Sequence, residues 1–256
     1  MTPSNATAMR LAWHFFKGNY ALNFSALAIL VVLSLLGALP IVGLLFFGAY
    51  TILSFSAQIY FGRHVAQVGE PVQMEEVAKK TRLGEYLTTY LPQAAGGFLA
   101  FFAISMLFGI LFTLAAATAP AAAATQAVPA GGAGMAEAIA GQILMAISPA
   151  SLVVLLLAVG LLYIFPAVAG RIIFSDDFAQ AFRAGFLLFS PSLWKKSFNR
   201  DYFLLVAGWS LVVFGFVLLS MALSATVILL PLSLVLAYIL SLYNAAIYVF
   251  AERLAR

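Results

Sequence analysis

Six apolar runs, none containing Asp, Glu, Lys, Arg or His, constrain the fold of this chain more than any other feature. They cover residues 22–39, 41–61, 94–117, 152–170, 202–223 and 227–250. Each is at least the roughly 18 residues that a helix needs to cross a hydrocarbon core of about 30 Å. A backbone in hydrocarbon must satisfy its own polar groups, which an unbroken apolar run does as an α-helix. Strands of outer-membrane barrels alternate apolar and polar residues over about ten positions, and these runs do not. Composition agrees: 64% of the 256 residues are hydrophobic and only 9% are charged, against about a quarter in a soluble domain. The expected fold is all-α and polytopic, with six transmembrane helices as three hairpins, cytoplasmic amphipathic helices, and a single transmembrane domain over 1–256. The Ala/Pro/Gly tract at 119–134 reads as a flexible external loop, and a weakly polar helical stretch follows over 135–147.

The basic residues orient these spans. Arg10 and Lys17 precede the first span; Arg63, Lys79, Lys80 and Arg82 lie between the second and third. Arg171, Arg183, Lys195, Lys196 and Arg200 lie between the fourth and fifth, and Arg253 and Arg256 follow the sixth. The other three connections hold no Lys or Arg. Basic residues in short connections are retained in the cytoplasm, so both termini are expected inside a cell (inner) membrane. The net charge of +4 then reflects topology, and nucleic acid is not an expected partner. Arg10 and Lys17 resemble the basic start of a signal peptide. The first run passes at once into a second of full length, which fits an uncleaved hairpin better.

Three phrases recur where the chain enters an odd-numbered span: KGNYAL at 17–22, RLGEYL at 82–87 and NRDYFL at 199–204. A basic residue suits the headgroups, a polar residue can cap the helix, and Tyr suits the interface. The even-numbered spans close alike, with IYFGR, YIFPAVAGR and IYVFAER. Either selection on hairpin ends or a duplication explains this repetition. Mitochondrial carriers also have three hairpins, but their acidic-basic signature after the odd spans is absent here.

Ahead of each odd span lies a stretch suited to the membrane surface. Met9, Trp13, Phe16 and Tyr20 share one helical face beside a stripe of Arg10, His14 and Lys17. Met74, Val77 and Thr81 make a thin stripe on a charged segment expected to be solvated. Over 175–189 a helix is expected with Ser175 as N-cap, Asp176 and Asp177 at its positive end, and Phe178, Phe182, Phe189 and Leu193 on one face.

The segments PAVAGRIIFSDDFAQAFRAGF and SPSLWKKSFNRDYFLL resemble the second half of uncharacterised prokaryotic six-helix membrane proteins, catalogued as domains of unknown function. GRHVAQVGEPVQMEEVAKKTRLGEYL is similar to their first-half signature. The resemblance implies a six-helix fold and transfers no catalytic residue.

No catalytic constellation is visible. His14 and His64 are far apart and lack metal-ligand spacing, no phosphate-binding glycine loop occurs, and no serine has a positioned base. No catalytic residue, cofactor or metal is expected, and the chain reads as not an enzyme. The polar residues at membrane depth are Gln58 and Asn244, with Tyr50, Tyr238 and Tyr243. Gln58, Arg63, Asn244 and Arg253 form a candidate vestibule for an anionic lipid headgroup; the alternative is interhelical hydrogen bonding. The expected function is a non-catalytic membrane protein that scaffolds or assists a membrane partner or transport system. The alternative is a carrier or channel for a lipid or apolar small molecule. Membrane lipids, anionic ones among them, and a membrane-protein partner are the partners implied.

Overall fold

A computed structural model describes residues 2–116, 149–224 and 229–256. The expected 119–134 loop and 135–147 helix lie outside the described residues. Among those residues there is no strand. Eleven α-helices follow in chain order: α1 Asn5–Gly18, α2 Tyr20–Leu36, α3 Gly43–Gln67, α4 Gln73–Lys80, α5 Leu83–Thr88, α6 Leu91–Ala116, α7 Pro149–Ile173, α8 Phe178–Gly185, α9 Pro191–Ser197, α10 Arg200–Ser224 and α11 Leu230–Leu254. A 3₁₀ turn, Phe186–Phe189, extends α8.

Five of the helical stretches are long and apolar enough to cross a membrane, and six if α1 and α2, bent by 99°, count as one. This is the architecture of a polytopic helical membrane protein. The expected second span ends at Phe61, but α3 continues through Arg63 to Gln67. Pro166 lies inside α7. The turn between α2 and α3 closes tightly enough that a Cβ on Gly43 would strike the carbonyl of Gly37.

The described residues fall into two compact units, Met1–Ala100 with Ile164–Arg256, and Phe101–Tyr163. In the second unit the large outward side chains are apolar, among them Phe102, Met106, Ile110, Val153, Leu156 and Leu162. Hydrocarbon, not water, is the solvent such a surface needs.

The first unit is organised around α11, which packs on α1, α3 and α10. Its lower half, from Leu242 to Ala251, is buried except at Asn244. Ala245, Ala246 and Ala251 keep that surface thin, and a Cβ on Gly170 of α7 would collide with the Tyr248 carbonyl and the Glu252 side chain. Lipid tails are as apolar as leucine, so helices in a membrane gain by close van der Waals approach, which small residues permit.

Of the two surface stretches before the first and second hairpins, the second needs correction. On α1 the buried residues are Ala8, Leu11, Ala12, Phe15 and Phe16; of the expected stripe, Trp13 and Tyr20 are exposed and Phe16 is buried. The helix is a core element: Phe15 meets Phe61 and Tyr86, with ring centroids 5.2 and 5.6 Å apart, because small residues on that face let the neighbouring helices approach. Helix α4 is docked rather than solvated. Met74 and Ala78 are buried, and Glu75 accepts from Lys17 Nζ at 2.9 Å and pairs with His14 Nδ1 at 2.5 Å. Those two hydrogen bonds, Lys17 first, hold the Glu75 carboxyl below the usual carboxylate range.

In the segment after α7, Asp177 and not Ser175 caps α8, accepting from the Gln180 amide at 2.8 Å. Ser175 is engaged with the preceding helix, its hydroxyl donating to the Arg171 carbonyl at 3.0 Å. Ala181, Ala184, Gly185 and Leu188 face the protein, with Gly96 and Ala100 of α6 against Phe178 and Gly185. The rings of Phe178, Phe182 and Phe186 form a continuous outward ladder.

Gly170→Ala should therefore destabilise the protein by about 2 kcal/mol or more, since the added methyl meets backbone. Gly215→Ala, on α10 with no atom within 4 Å of an added Cβ, should stabilise by up to about 1 kcal/mol through helix propensity. Thermal unfolding of both variants in one detergent tests the contrast; equal shifts would contradict the close approach of α7 and α11.

Candidate functional site

The last four carbonyls of an α-helix have no partner within the helix. At the basic ends of these helices, polar side chains of neighbouring elements supply them. In α7 all four are satisfied. Gly170 O accepts from the Phe174 amide, Arg171 O from the Ser175 hydroxyl, Ile172 O from the Ser175 amide, and Ile173 O from Arg63 Nε at 2.9 Å. The Arg63 Nη2 group also donates to the Ser175 carbonyl, and its guanidinium lies 4.7 Å from the Tyr90 ring centroid.

The same device links three helices in cyclic order. Arg63 of α3 binds the end of α7. Arg171 of α7 pairs with Glu252 of α11, Nη1 to Oε1 at 3.2 Å. Arg253 of α11 returns to α3, where Nη2 donates to the Ala66 carbonyl at 3.0 Å. Glu252 is only 1% exposed and also takes Arg256 Nε, at 2.8 Å. A carboxylate buried this deeply needs such paired cations and hydrogen bonds.

Asparagines close two further ends. Asn19 Oδ1 accepts from the Leu22 amide and starts α2, while its Nδ2 donates to Ala78 O at the end of α4. Asn199 does the same for α10 and α11: Oδ1 accepts from Tyr202 N at 2.9 Å and Nδ2 donates to Leu254 O at 3.1 Å. RLGEYL departs from this pattern, because Arg82 makes no side-chain cap. The tyrosines of these phrases also differ: Tyr20 is exposed, but Tyr86 and Tyr202 are fully buried and are core rather than interface residues.

One polar cluster is buried where α1 turns into α2. Asn23 Nδ2 reaches the carbonyls of Phe15, Phe16 and Asn19 at 2.8–3.2 Å. Its Oδ1 accepts from Tyr238 OH at 2.9 Å, and Tyr86 OH lies 3.0 Å from Tyr238 OH. A hydroxyl has one proton, so Tyr238 donates to Asn23 and Tyr86 donates to Tyr238.

Of the four vestibule residues, Arg63 and Arg253 both come to the terminal turn of α3, each committed to backbone carbonyls. Asn244 turns elsewhere: its Oδ1 accepts from Trp209 Nε1 of α10 at 2.8 Å. At about 100° per residue, Arg253 lies roughly half a turn around α11 from Asn244. Gln58 is half-buried on α3. Sequence spacing placed these groups at one height and left their helical phase out. Glu252 and Asn23 went unrecognised. The signal for the first was its four-residue spacing to Arg256, and for the second its position one turn beyond Asn19.

A cavity of about 320 Å³ opens between α2, α3 and α11. Leu27, Leu30, Leu230 and Leu234 supply apolar wall, and Ser34, Tyr50, Ser54, Tyr238 and Ser241 its polar atoms. Among the described residues no group of three His, Asp or Glu side chains could hold a metal ion. Searched against known families, curated proteins and solved structures, the chain matches none.

Hydrogen bonds to a charged group are worth roughly 1.5–3 kcal/mol each, so Arg63→Ala should cost about 3 kcal/mol. Arg63→Lys should recover only part of this, because a point charge cannot reach two carbonyls with a fixed fork. Thermal unfolding of the variants measures it. The Arg63→Ala, Arg253→Ala double variant should lose stability while keeping wild-type retention of anionic lipid in native mass spectrometry. Lost retention with unchanged stability would favour the vestibule.

Proposed function

We propose that this chain is a six-span, non-catalytic protein of the cytoplasmic membrane that scaffolds or assists a membrane partner. Both termini and the 63–91 and 171–201 segments lie on the cytoplasmic side. The observation that carries this reading is the use of Arg63, Arg171 and Arg253 to lock three helix ends together. Groups available for chemistry or ion coordination are instead engaged in building one rigid basic end. Outside that lock, Arg183, Lys195 and Lys196 are exposed beside Phe178, Phe186, Phe189 and Phe198. Basic and aromatic side chains together suit the headgroup layer and a partner's juxtamembrane surface. A second reading, a carrier for a lipid or apolar small molecule, is supported by the cavity between α2, α3 and α11.

Single cysteines test the orientation, since the chain has none of its own. Cysteines at positions 80 and 195 should react with an impermeant thiol reagent only after permeabilisation, and one at 130 in intact cells. The opposite pattern would overturn the topology. For the scaffold, a photocrosslinking residue at 186 or 198 in living cells should capture one recurrent membrane protein, identified by mass spectrometry. Capture of lipid alone at both positions would refute it.

A further inference from the structure

The segment between α7 and α10 leaves the polar boundary of the protein and comes back to it. At its start, Gln93 Nε2 of α6 donates to the Asp176 carbonyl at 2.7 Å, and Arg63 donates to the Ser175 carbonyl. At its end, Asn199 Nδ2 donates to Leu254 O, next in the chain to Arg253. Between these points α8 lies against α6 in two places. A Cβ on Gly96 of α6 would meet the Phe178 carbonyl and the Ala181 methyl, and one on Gly185 of α8 would meet Ala100. From the first contact to the second each helix advances by four residues, Gly96 to Ala100 and Ala181 to Gly185, which is about 6 Å on both. A helix lying flat in the membrane plane would cross a span steeply and touch it at one level. The equal advance means that α8 runs alongside α6, in the same direction.

That direction is into the hydrocarbon. Helix α6 is long and apolar enough to cross a membrane, and its apolar run begins at residue 94, just after Gln93. Ala100 lies six residues further, about 9 Å, next to Leu99, whose side chain is exposed. The far end of α8 and the Phe186–Phe189 turn that follows it therefore stand at the depth of acyl chains. Polar groups of the turn are closed internally, as that depth demands. Leu187 O accepts from the Ser190 amide, Leu188 O from Trp194 Nε1 at 2.8 Å, and Ser190 O from the Leu193 amide. Small residues, Ala181, Ala184 and Gly185, face the protein, and the Phe178, Phe182 and Phe186 rings face out. The exposed Arg183 sits only two residues past the Ala181 contact, about 3 Å. From there an arginine stem can carry its guanidinium back to the headgroups.

We propose that residues 177–198 form a re-entrant arm, which enters the cytoplasmic leaflet from the basic face, turns at Phe186–Phe189 and returns to the same face. The occupant of its Phe178–Phe182–Phe186 ladder is lipid, the acyl chains of that leaflet. At this depth an apolar face needs no protein cover, because lipid tails match it as well as leucine does. The arm begins and ends at one face, so the orientation given above is kept. The proposal rests on the scaffold reading and divides its surface. Phe186 meets lipid, whereas Phe198, beside Lys195 and Lys196 in the chain, is left to the partner.

Because the chain has no cysteine, single cysteines at 178, 182, 186 and 195, and at 99 as a reference within the span, can each carry a nitroxide. All five positions are exposed or half-buried, so the labels disturb the packing little. The full-length protein is reconstituted in phosphatidylcholine–phosphatidylglycerol vesicles. Electron paramagnetic resonance then reads collisions of each label with oxygen, which concentrates in hydrocarbon, and with a water-soluble nickel chelate. The oxygen-to-nickel ratio should rise from 178 through 182 to 186, each step up to about 6 Å deeper. Position 186 should match 99, and 195 should match the aqueous boundary. Equal ratios at 178, 182 and 186, or nickel access at 186 equal to that at 195, would overturn the proposal. The crosslinks described above separate it from the reading it rests on. Lipid at 186 with protein at 198 is the expected pattern. Protein at 186 would overturn the arm and support the scaffold; lipid at both positions would do the reverse.

Discussion

Helix ends that meet a membrane boundary carry carbonyls that neither the helix nor hydrocarbon can satisfy, and the rest of this structure depends on how they are closed. Arg63 closes α7, Arg253 closes α3, Asn199 closes α11, Asn19 closes α4 and Asn23 closes α1. In every case the donor lies outside the helix that carries the acceptor. A water-facing helix end can leave its carbonyls to solvent, so the same side chains would be optional there. At the edge of a bilayer they become tertiary bonds, and they fix which helix end stands beside which.

Such bonds also explain why α11 is central. Apolar packing discriminates weakly between a helix neighbour and a lipid tail, so close approach and polar pairing decide the partners. Helix α11 has both. Its alanines let α1, α3 and α10 come near, and Gly170 lets α7 reach the Tyr248 backbone. Glu252 adds a buried carboxylate held by Arg171 and Arg256. Removing either arginine alone leaves Glu252 a cation, whereas removing Glu252 leaves two like charges facing each other.

Much of the helical framework was legible from the sequence because hydrocarbon length and the absence of charge act on whole segments. The six runs correspond to α2, α3, α6, α7, α10 and α11, with ends displaced by a few residues where helices run on past Arg63 and Arg171. Faces were less legible. On α1 the aromatic stripe drew attention to the membrane-facing side of Trp13 and Tyr20 and not to the protein-facing side of Ala8 and Ala12, because close packing selects small residues and pattern reading favours large ones. Segment α4 reads as solvated when its charges are taken alone; Glu75 has its cations on α1, out of reach of any local pattern. The candidate vestibule combined residues of similar height without their phase around the helix, and Asn244 and Arg253 point to opposite sides of α11. The cavity was hidden for a simpler reason: Ser34 and Ser54 look like ordinary packing residues until the helices that carry them are side by side.

The three arginines bear on the repetition among the hairpins. Arg63, Arg171 and Arg253 follow similar aromatic and small residues, and each reaches the next helix in one cyclic direction. A requirement for positive charge at a hairpin end would be met by Lys or Arg anywhere in the last turn, with no fixed partner. It does not prescribe a direction of contact. Yet the partners are unlike, two being carbonyl groups and one a carboxylate, and Arg82 lacks the capping role that Asn19 and Asn199 share. The common element is therefore the placement of a forked donor within about a turn of the helix end, where it reaches across to its neighbour. That placement joins the hairpins at their basic end.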